Sequence, residues 1–306
     1  MAASTTSALE KRSNFRQRLA SGSLLRFPGA FSPLVAMLVE ELGFEGVYIS
    51  GAALSADLGL PDVGLTTLSE VAARSQRIVA RTELPVIVDA DTGFGEPANV
   101  TRTIQTLEAF GLCGCHLEDQ LFPKRCGHLD NKSLVSVDDM CRKLQAASKA
   151  KSDPNFLLIA RTDARGVEGL EPAIERAKAY VDAGAEMIFP EALANEGEFE
   201  AFRSAVSVPL LANMTEFGKS PLLSTQQLSD LGYNLAIYPV TTLRLAMKAV
   251  EEGLKSLVTE GHQNSVIDQM QTRSRLYELL DYQSYVEIDS QLANYQSNTG
   301  DSDASS

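Results

Sequence analysis

Eight short apolar runs recur along this chain, separated by stretches with helical periodicity, and that alternation limits the folds open to it. The runs are 24–27, 46–51, 85–93, 113–120, 157–164, 186–192, 209–215 and 235–240. Helical spacing of apolar residues fills 33–42, 68–81, 97–110, 137–150, 169–183 and 195–205. Gly43, Gly111, Gly184 and Gly232 stand where left-handed residues stop helices. Continuous apolar strands joined by helices predict a parallel sheet covered by helices. Eight such units match an α/β (β/α)8 barrel of the TIM type. The rival, a doubly wound sheet, would carry GxGxxG after its first strand, and that motif is absent. The stretch 241–261 reads as the last barrel helix. The stretch 266–280 reads as an added C-terminal helix suited to docking on a neighbouring subunit. The expected layout is one barrel domain over 1–292 with a polar, disordered tail over 293–306.

Composition narrows the partners. The 306 residues are 44% hydrophobic, enough for a large core, and carry 27 basic and 40 acidic side chains, a net charge of −13. So acidic a chain argues against nucleic acid or an anionic membrane as partner. Cys113, Cys115, Cys126 and Cys141 make no disulfide framework in a chain this long and read as thiols of a reducing compartment. No apolar run is long enough to span a bilayer. The first nineteen residues lack the apolar core of a secretory signal and read as a helical start rather than a transit peptide. The expected location is the cytoplasm, or an organellar matrix in a eukaryotic source.

Chemistry is concentrated at the carboxyl ends of the runs. Residues i and i+2 of a strand share one side. Asp89 pairs this way with Asp91, His116 with Glu118, Arg161 with Asp163, Phe189 with Glu191 and Asn213 with Thr215. Any one pair reads equally well as a local salt bridge or loop cap. Five in register point to a shared mouth at the strand ends, where barrels of this type place their sites. Asp89, Asp91, Glu118 and Glu191 would crowd negative charge there, which calls for raised pKa values or a cation. Such oxygen ligands suit Mg2+ or Mn2+. His116 and His128 lack zinc-site spacing, and the Cys113/Cys115 pair reads as small apolar filler. Lys124, Arg125, Arg161, Arg244 and Arg273 could meet a small di- or tricarboxylate at the mouth. Lys124-Arg125-Cys126-Gly127-His128 sets a thiol among cations, where its pKa falls and it can serve equally as a covalent nucleophile or as a poised acid. No strand contains lysine, which weakens a Schiff-base mechanism, and GxSxG and P-loop motifs are absent.

With these stretches the chain resembles the isocitrate lyase/phosphoenolpyruvate mutase superfamily, and within it the methylisocitrate lyases. The likeness runs from about residue 18 to 292. It is carried by Tyr48-Ile49-Ser50-Gly51, Gly59-Leu60-Pro61-Asp62, the stretch from Asp89 to Gly95, His116-Leu117-Glu118-Asp119-Gln120, the KRCGH stretch, Ala160-Arg161-Thr162-Asp163, Phe189-Pro190-Glu191, the stretch from Asn213 to Gly218, Tyr238-Pro239 with Arg244, and Gln271-Thr272-Arg273. One departure is Ser50-Gly51-Ala52-Ala53, where the family often has a glycine run.

The resemblance implies cleavage of 2-methylisocitrate to pyruvate and succinate in propionate catabolism. It implies Mg2+ at Asp89, Asp91 and Glu118, Tyr48 as base, and Cys126 as the acid in a mobile loop with Lys124, Arg125 and His128. Ser50, Gly51, Ala52, Asp62, Gly127 and Arg161 would hold the pyruvate half. Glu191, Asn213, Met214, Thr215, Arg244 and Arg273 would grip the succinate half, and Phe189 and Ile237 would line the methyl pocket. It also implies a homotetramer with exchanged C-terminal helices. The rival readings are isocitrate lyase or oxaloacetate hydrolase of the same superfamily and, from another class, a dicarboxylate-binding barrel without turnover.

Overall fold

Among the described residues every ladder between strands is parallel, and the ladders join into a ring. The computed structural model describes residues 6–125, 127–128, 131–293 and 295. In chain order the elements are α1 (Ala8–Ala20), β1 (Leu25–Pro28), α2 (Pro33–Glu41), β2 (Val47–Ile49), α3 (Gly51–Asp57), α4 (Leu68–Val79), β3 (Val86–Asp89), α5 (Pro97–Ala109), β4 (Gly114–Glu118), α6 (Val137–Ala150), β5 (Leu157–Thr162), α7 (Leu170–Asp182), β6 (Met187–Pro190), α8 (Glu196–Ala205), β7 (Leu211–Asn213), α9 (Thr225–Asp230), β8 (Leu235–Tyr238), α10 (Thr241–Glu260), α11 (Arg273–Leu279) and α12 (Tyr282–Ala293). The strands β2 to β6 pair in sequence, and β8 lies between β1 and β7. Parallel bridges from Gly29 to Tyr48 and from Ile188 to Leu210 close the two seams. The cycle is that of a (β/α)8 barrel.

Alternation along the strands explains the two cores. On β5, Leu157 and Ile159 belong to an inner cluster with Phe27, Tyr48, Ile87, Phe189 and Ile237. Leu158 and Ala160 belong to the outer layer beneath the helices. The same two-residue period turns Asp89, His116 and Arg161 inward at the strand ends. Helix α1 closes the opposite end. Its Phe15 and Leu19 join the inner cluster, and its Arg12 donates to the Leu112 carbonyl at 2.8 Å. Ser7 begins α1 with a capping box to Glu10.

All eight strands form at the expected runs, several of them shorter than read. Two short helices, α3 and α9, were not expected. Cys113 falls in the inner cluster and Cys115 in the outer one, both buried, so they pack as filler. The C-terminal region corrects two expectations. Helix α10 has the predicted extent but is not laid on its own barrel: only Ser256 of its twenty residues is buried. Leu245, Met247, Val250, Leu254, Leu257 and Val258 are exposed along it, Val258 by 86%. The expected helix 266–280 is instead a 3-10 turn, Asn264–Gln269, and a separate α11. Met270 is extended between them, and Thr272 accepts from the Arg275 amide to start the new helix. The helix α12 ends at Ala293, and of the expected tail only Ala293 and Tyr295 are among the described residues.

Candidate active site

The mouth is built by register. Asp89 lies opposite His116, Glu118 opposite Arg161, Arg161 opposite Phe189, and Asn213 opposite Ile237. Arg161 is the hub. Its Nε donates to Asp163 Oδ2 at 2.9 Å and lies 3.4 Å from Glu118 Oε2, while its Nη1 lies 3.1 Å from Glu191 Oε2. The guanidinium carbon also stacks 5.0 Å from the Phe189 ring centre. Burial works against charge on Asp163, but Arg161 and Lys132 hold its carboxyl well below the usual range.

On the other side, Asp89 and Asp91 stand at the end of β3. Asp91 takes a left-handed conformation at φ 47°, and its amide donates to Asp89 Oδ1 at 2.9 Å. The Gly51 amide reaches Asp89 Oδ2 at 3.3 Å, and a Cβ on Gly51 would lie 2.9 Å from that oxygen, so glycine is required for this approach. Lys124 Nζ lies 2.7 Å from Asp91 Oδ1 and also pairs with Asp62. Burial and neighbouring Asp89 push Asp91 up to about 6, and burial raises Glu118.

Tyr48 and His116 form a buried pair, with the phenol oxygen 2.8 Å from His116 Nε2. Burial pushes His116 down to about 4, so the ring is neutral. His116 Nδ1 faces Asp89 Oδ1 at 3.7 Å, which favours the tautomer with the proton on Nδ1 and Nε2 accepting from Tyr48. Burial, with Asp89, also raises Tyr48, so its phenol is protonated in this state.

The loop after β4 covers these groups. Gly127 is so close that a Cβ would fall 2.3 Å from Arg161 Nη2 and 2.5 Å from Glu191 Cγ. The Lys219 amide donates to His128 Nδ1 at 2.9 Å, so Nε2 carries the ring proton and donates to Glu191 Oε1 at 3.0 Å. Asn213 Nδ2 donates to the same carboxylate at 3.2 Å. Cys126 lies outside the described residues.

Of the other expected residues, Ser50, Ala52, Arg125, Thr215 and Arg244 line the mouth. Phe189 and Ile237 are wholly buried in its floor. Arg244 is turned partly outward, 3.0 Å from Glu216 and over Phe217. Two expected residues do not reach the mouth of this chain. Met214 points into the outer core, where its sulfur accepts from the Leu223 amide at 3.3 Å, because it alternates with inward Asn213. Arg273 is exposed at the start of α11. That helix is tied by Arg275 to Glu41 at the end of α2, the barrel end opposite the mouth.

Sequence reading missed three groups. Gln120 clamps the Arg125 backbone from both sides, accepting its N–H and donating to its carbonyl, each at 2.8 Å. Lys132 joins the loop to Asp163. Asp119 accepts from Thr162, the Asp163 amide and Tyr180 at 2.8–2.9 Å, fixing the end of β5. Asp119 and Gln120 close the run 113–120 beyond the pair of His116 with Glu118, and Lys132 lies in a polar loop that looks solvated in a sequence.

Among the described residues, no three His, Cys, Asp or Glu side chains are assembled as a ready metal cluster. The donor set nevertheless fits a hydrated divalent ion. Six buried or part-buried carboxylates (Asp62, Asp89, Asp91, Glu118, Asp163 and Glu191) face three buried cations, Lys124, Lys132 and Arg161. Glu118 Oε1 is buried without a hydrogen-bond partner. Two carboxylates with water completing an octahedron is the usual arrangement for Mg2+.

Comparison with known proteins places this geometry. The phosphoenolpyruvate phosphomutase family matches residues 15–258. The chain belongs to that family. It is 56% identical over 296 residues to a probable 2-methylisocitrate lyase 2 of Corynebacterium glutamicum, covering 97% of this chain and 96% of the relative. Among solved structures, oxaloacetate acetylhydrolase in complex with 3,3-difluorooxalacetate superposes with a TM-score of 0.88 at 33% identity, covering 95% of this chain and 99% of that one. A phosphonopyruvate hydrolase complex with oxalate and Mg2+ superposes at 0.83 and 31% identity, covering 93% and 99%. Family membership bears out the superfamily and the barrel read from the sequence.

Proposed function

We propose that this member of the phosphoenolpyruvate phosphomutase family is a Mg2+-dependent lyase that splits 2-methylisocitrate into pyruvate and succinate. One observation carries the reading most directly. The Gly127 backbone of the KRCGH stretch is seated on Arg161 and Glu191, which brings that stretch over a carboxylate-binding mouth. The high identity to a curated methylisocitrate lyase supports the choice of substrate.

Asp89 and Asp91 would hold the ion, with Glu118 behind them through water. Bound there, it would supply Lewis-acid polarisation of the substrate's hydroxyl and carboxylate oxygens. Tyr48, ionised in the loaded site, would take the proton of the substrate hydroxyl, and the 2.8 Å contact to neutral His116 holds its oxygen in place. The carbon–carbon bond breaks, its electron pair moves to the succinate half, and Cys126 protonates that carbon. Ser50, the Gly51 amide and Arg161 orient the pyruvate half. Asn213, Thr215, His128 and Arg244 orient the succinate carboxylates. With Gly127 and His128 in place the mouth is a cavity of about 90 Å3. Withdrawal of this stretch would admit the substrate, and its return would exclude water from the carbanion.

The apolar face of α10 supports self-association, with a homotetramer as the assembly expected from the resemblance. No helix among the described residues is long and apolar enough to cross a membrane, and a cytoplasmic enzyme is the reading adopted. Incubation of the purified chain with 2-methylisocitrate and Mg2+ is expected to yield pyruvate and succinate in equal amounts. A higher kcat/KM on isocitrate or oxaloacetate would overturn the substrate assignment.

A further inference from the structure

We propose that Lys132 is a positioning residue for this reaction, fastening the Gly127 peptide to the Asp163 carboxylate and so setting the height of the KRCGH stretch above Arg161 and Glu191. The inference rests on the lyase reading for its kinetic consequences, but its geometry stands separately. Lys132 Nζ donates to the Gly127 carbonyl and to Asp163 Oδ1, the latter at 2.8 Å, and its side chain is 2% exposed. Lysines are rarely this buried without a structural duty. The ammonium does not line the mouth, so it acts through the peptide it holds.

Its anchor is rigid. The Asp163 amide is held by Asp119 at 2.9 Å, and Asp119 is in turn held by Thr162 and Tyr180. Asp163 also orients the Arg161 guanidinium. One carboxylate therefore sets the position of both the substrate-binding arginine and the loop peptide above it. A Cβ on Gly127 would clash with Arg161, Glu191 and Asp163, so a small rise of this peptide would lift Gly127 from the groups below.

The test uses Lys132→Met in the full chain. Its kcat on 2-methylisocitrate with Mg2+ is expected to fall about 100-fold with KM changed less than about threefold, as for a misplaced rather than a missing group. Alkylation of Cys126 by iodoacetamide without ligand is expected to quicken about tenfold, reflecting loss of a buried charged hydrogen bond, with half-buried Cys141 as internal reference. Unchanged kcat together with an unchanged alkylation rate overturns the proposal. Should the methionine variant not fold, Lys132→Arg decides: it keeps the charge beside Asp163 but not the single-point bridge. Its kcat is expected to drop about tenfold at an unchanged melting temperature, and native kcat overturns the proposal. If the native chain does not turn over 2-methylisocitrate, the substrate reading fails, and the alkylation rates still decide the role of Lys132.

Discussion

Arg161 Nη1 and Glu191 Oε2 are 3.1 Å apart at the mouth, both side chains buried. The β5–β6 register makes this contact, since Arg161 lies opposite Phe189 and Glu191 follows two residues later. A guanidinium fork can serve Glu118, Asp163 and Glu191 together, whereas an ammonium is a point charge.

Arg161→Lys is therefore expected to lower kcat/KM at least about 100-fold through loss of that geometry. Steady-state kinetics, with a melting curve to confirm folding, is the check.

Removing only the Tyr48 hydroxyl leaves a ring of nearly the same volume in the inner core. Tyr48→Phe should fold normally and lose roughly 100- to 10,000-fold in kcat, the span expected for a general acid–base group. A loss under tenfold would take the base role from Tyr48.

Cys126→Ser is expected to abolish most turnover while still binding 2-methylisocitrate in calorimetry, because a serine hydroxyl is a far weaker acid. Excess chelator should silence the native enzyme and added Mg2+ restore it. Turnover that persists in chelator would exclude the ion from the chemistry.

His116 links stability to acidity. Its folded pKa, about 4, lies below the unfolded value of about 6.5, so the unfolded chain binds the extra proton between these limits. The contribution is complete above about 6.5 and disappears as pH falls toward 4, a loss of about 3 kcal/mol. Denaturant titrations of the metal-free protein at pH 7 and pH 4.5 measure it, and His116→Gln should flatten the difference.

How much could be read in advance depended on the residue. Asp89 with Asp91 and Arg161 with Asp163 were visible because charged groups at a two-residue period in apolar runs are costly to bury unless they face one another at a site. Lys132 was not, since it lies in a polar segment whose burial arises only when the loop folds over the mouth, and Gln120, though at the end of an apolar run, gains its role only from the Arg125 backbone that folds onto it. Arg273 is not brought to the mouth of its own chain, and a loop arginine carries no sign of which mouth it will reach. Helix α10 was found at its correct length. Periodicity identifies an apolar face but not the surface that will cover it.

That uncovered face has a thermodynamic consequence. If a second chain covers Leu245, Val250, Leu254 and Val258, part of the stabilising burial is gained only on association, and the melting point becomes a function of dilution. Each tenfold drop in protein concentration would weaken a two-chain assembly by about 1.4 kcal/mol, so this barrel should be hardiest where it is most abundant.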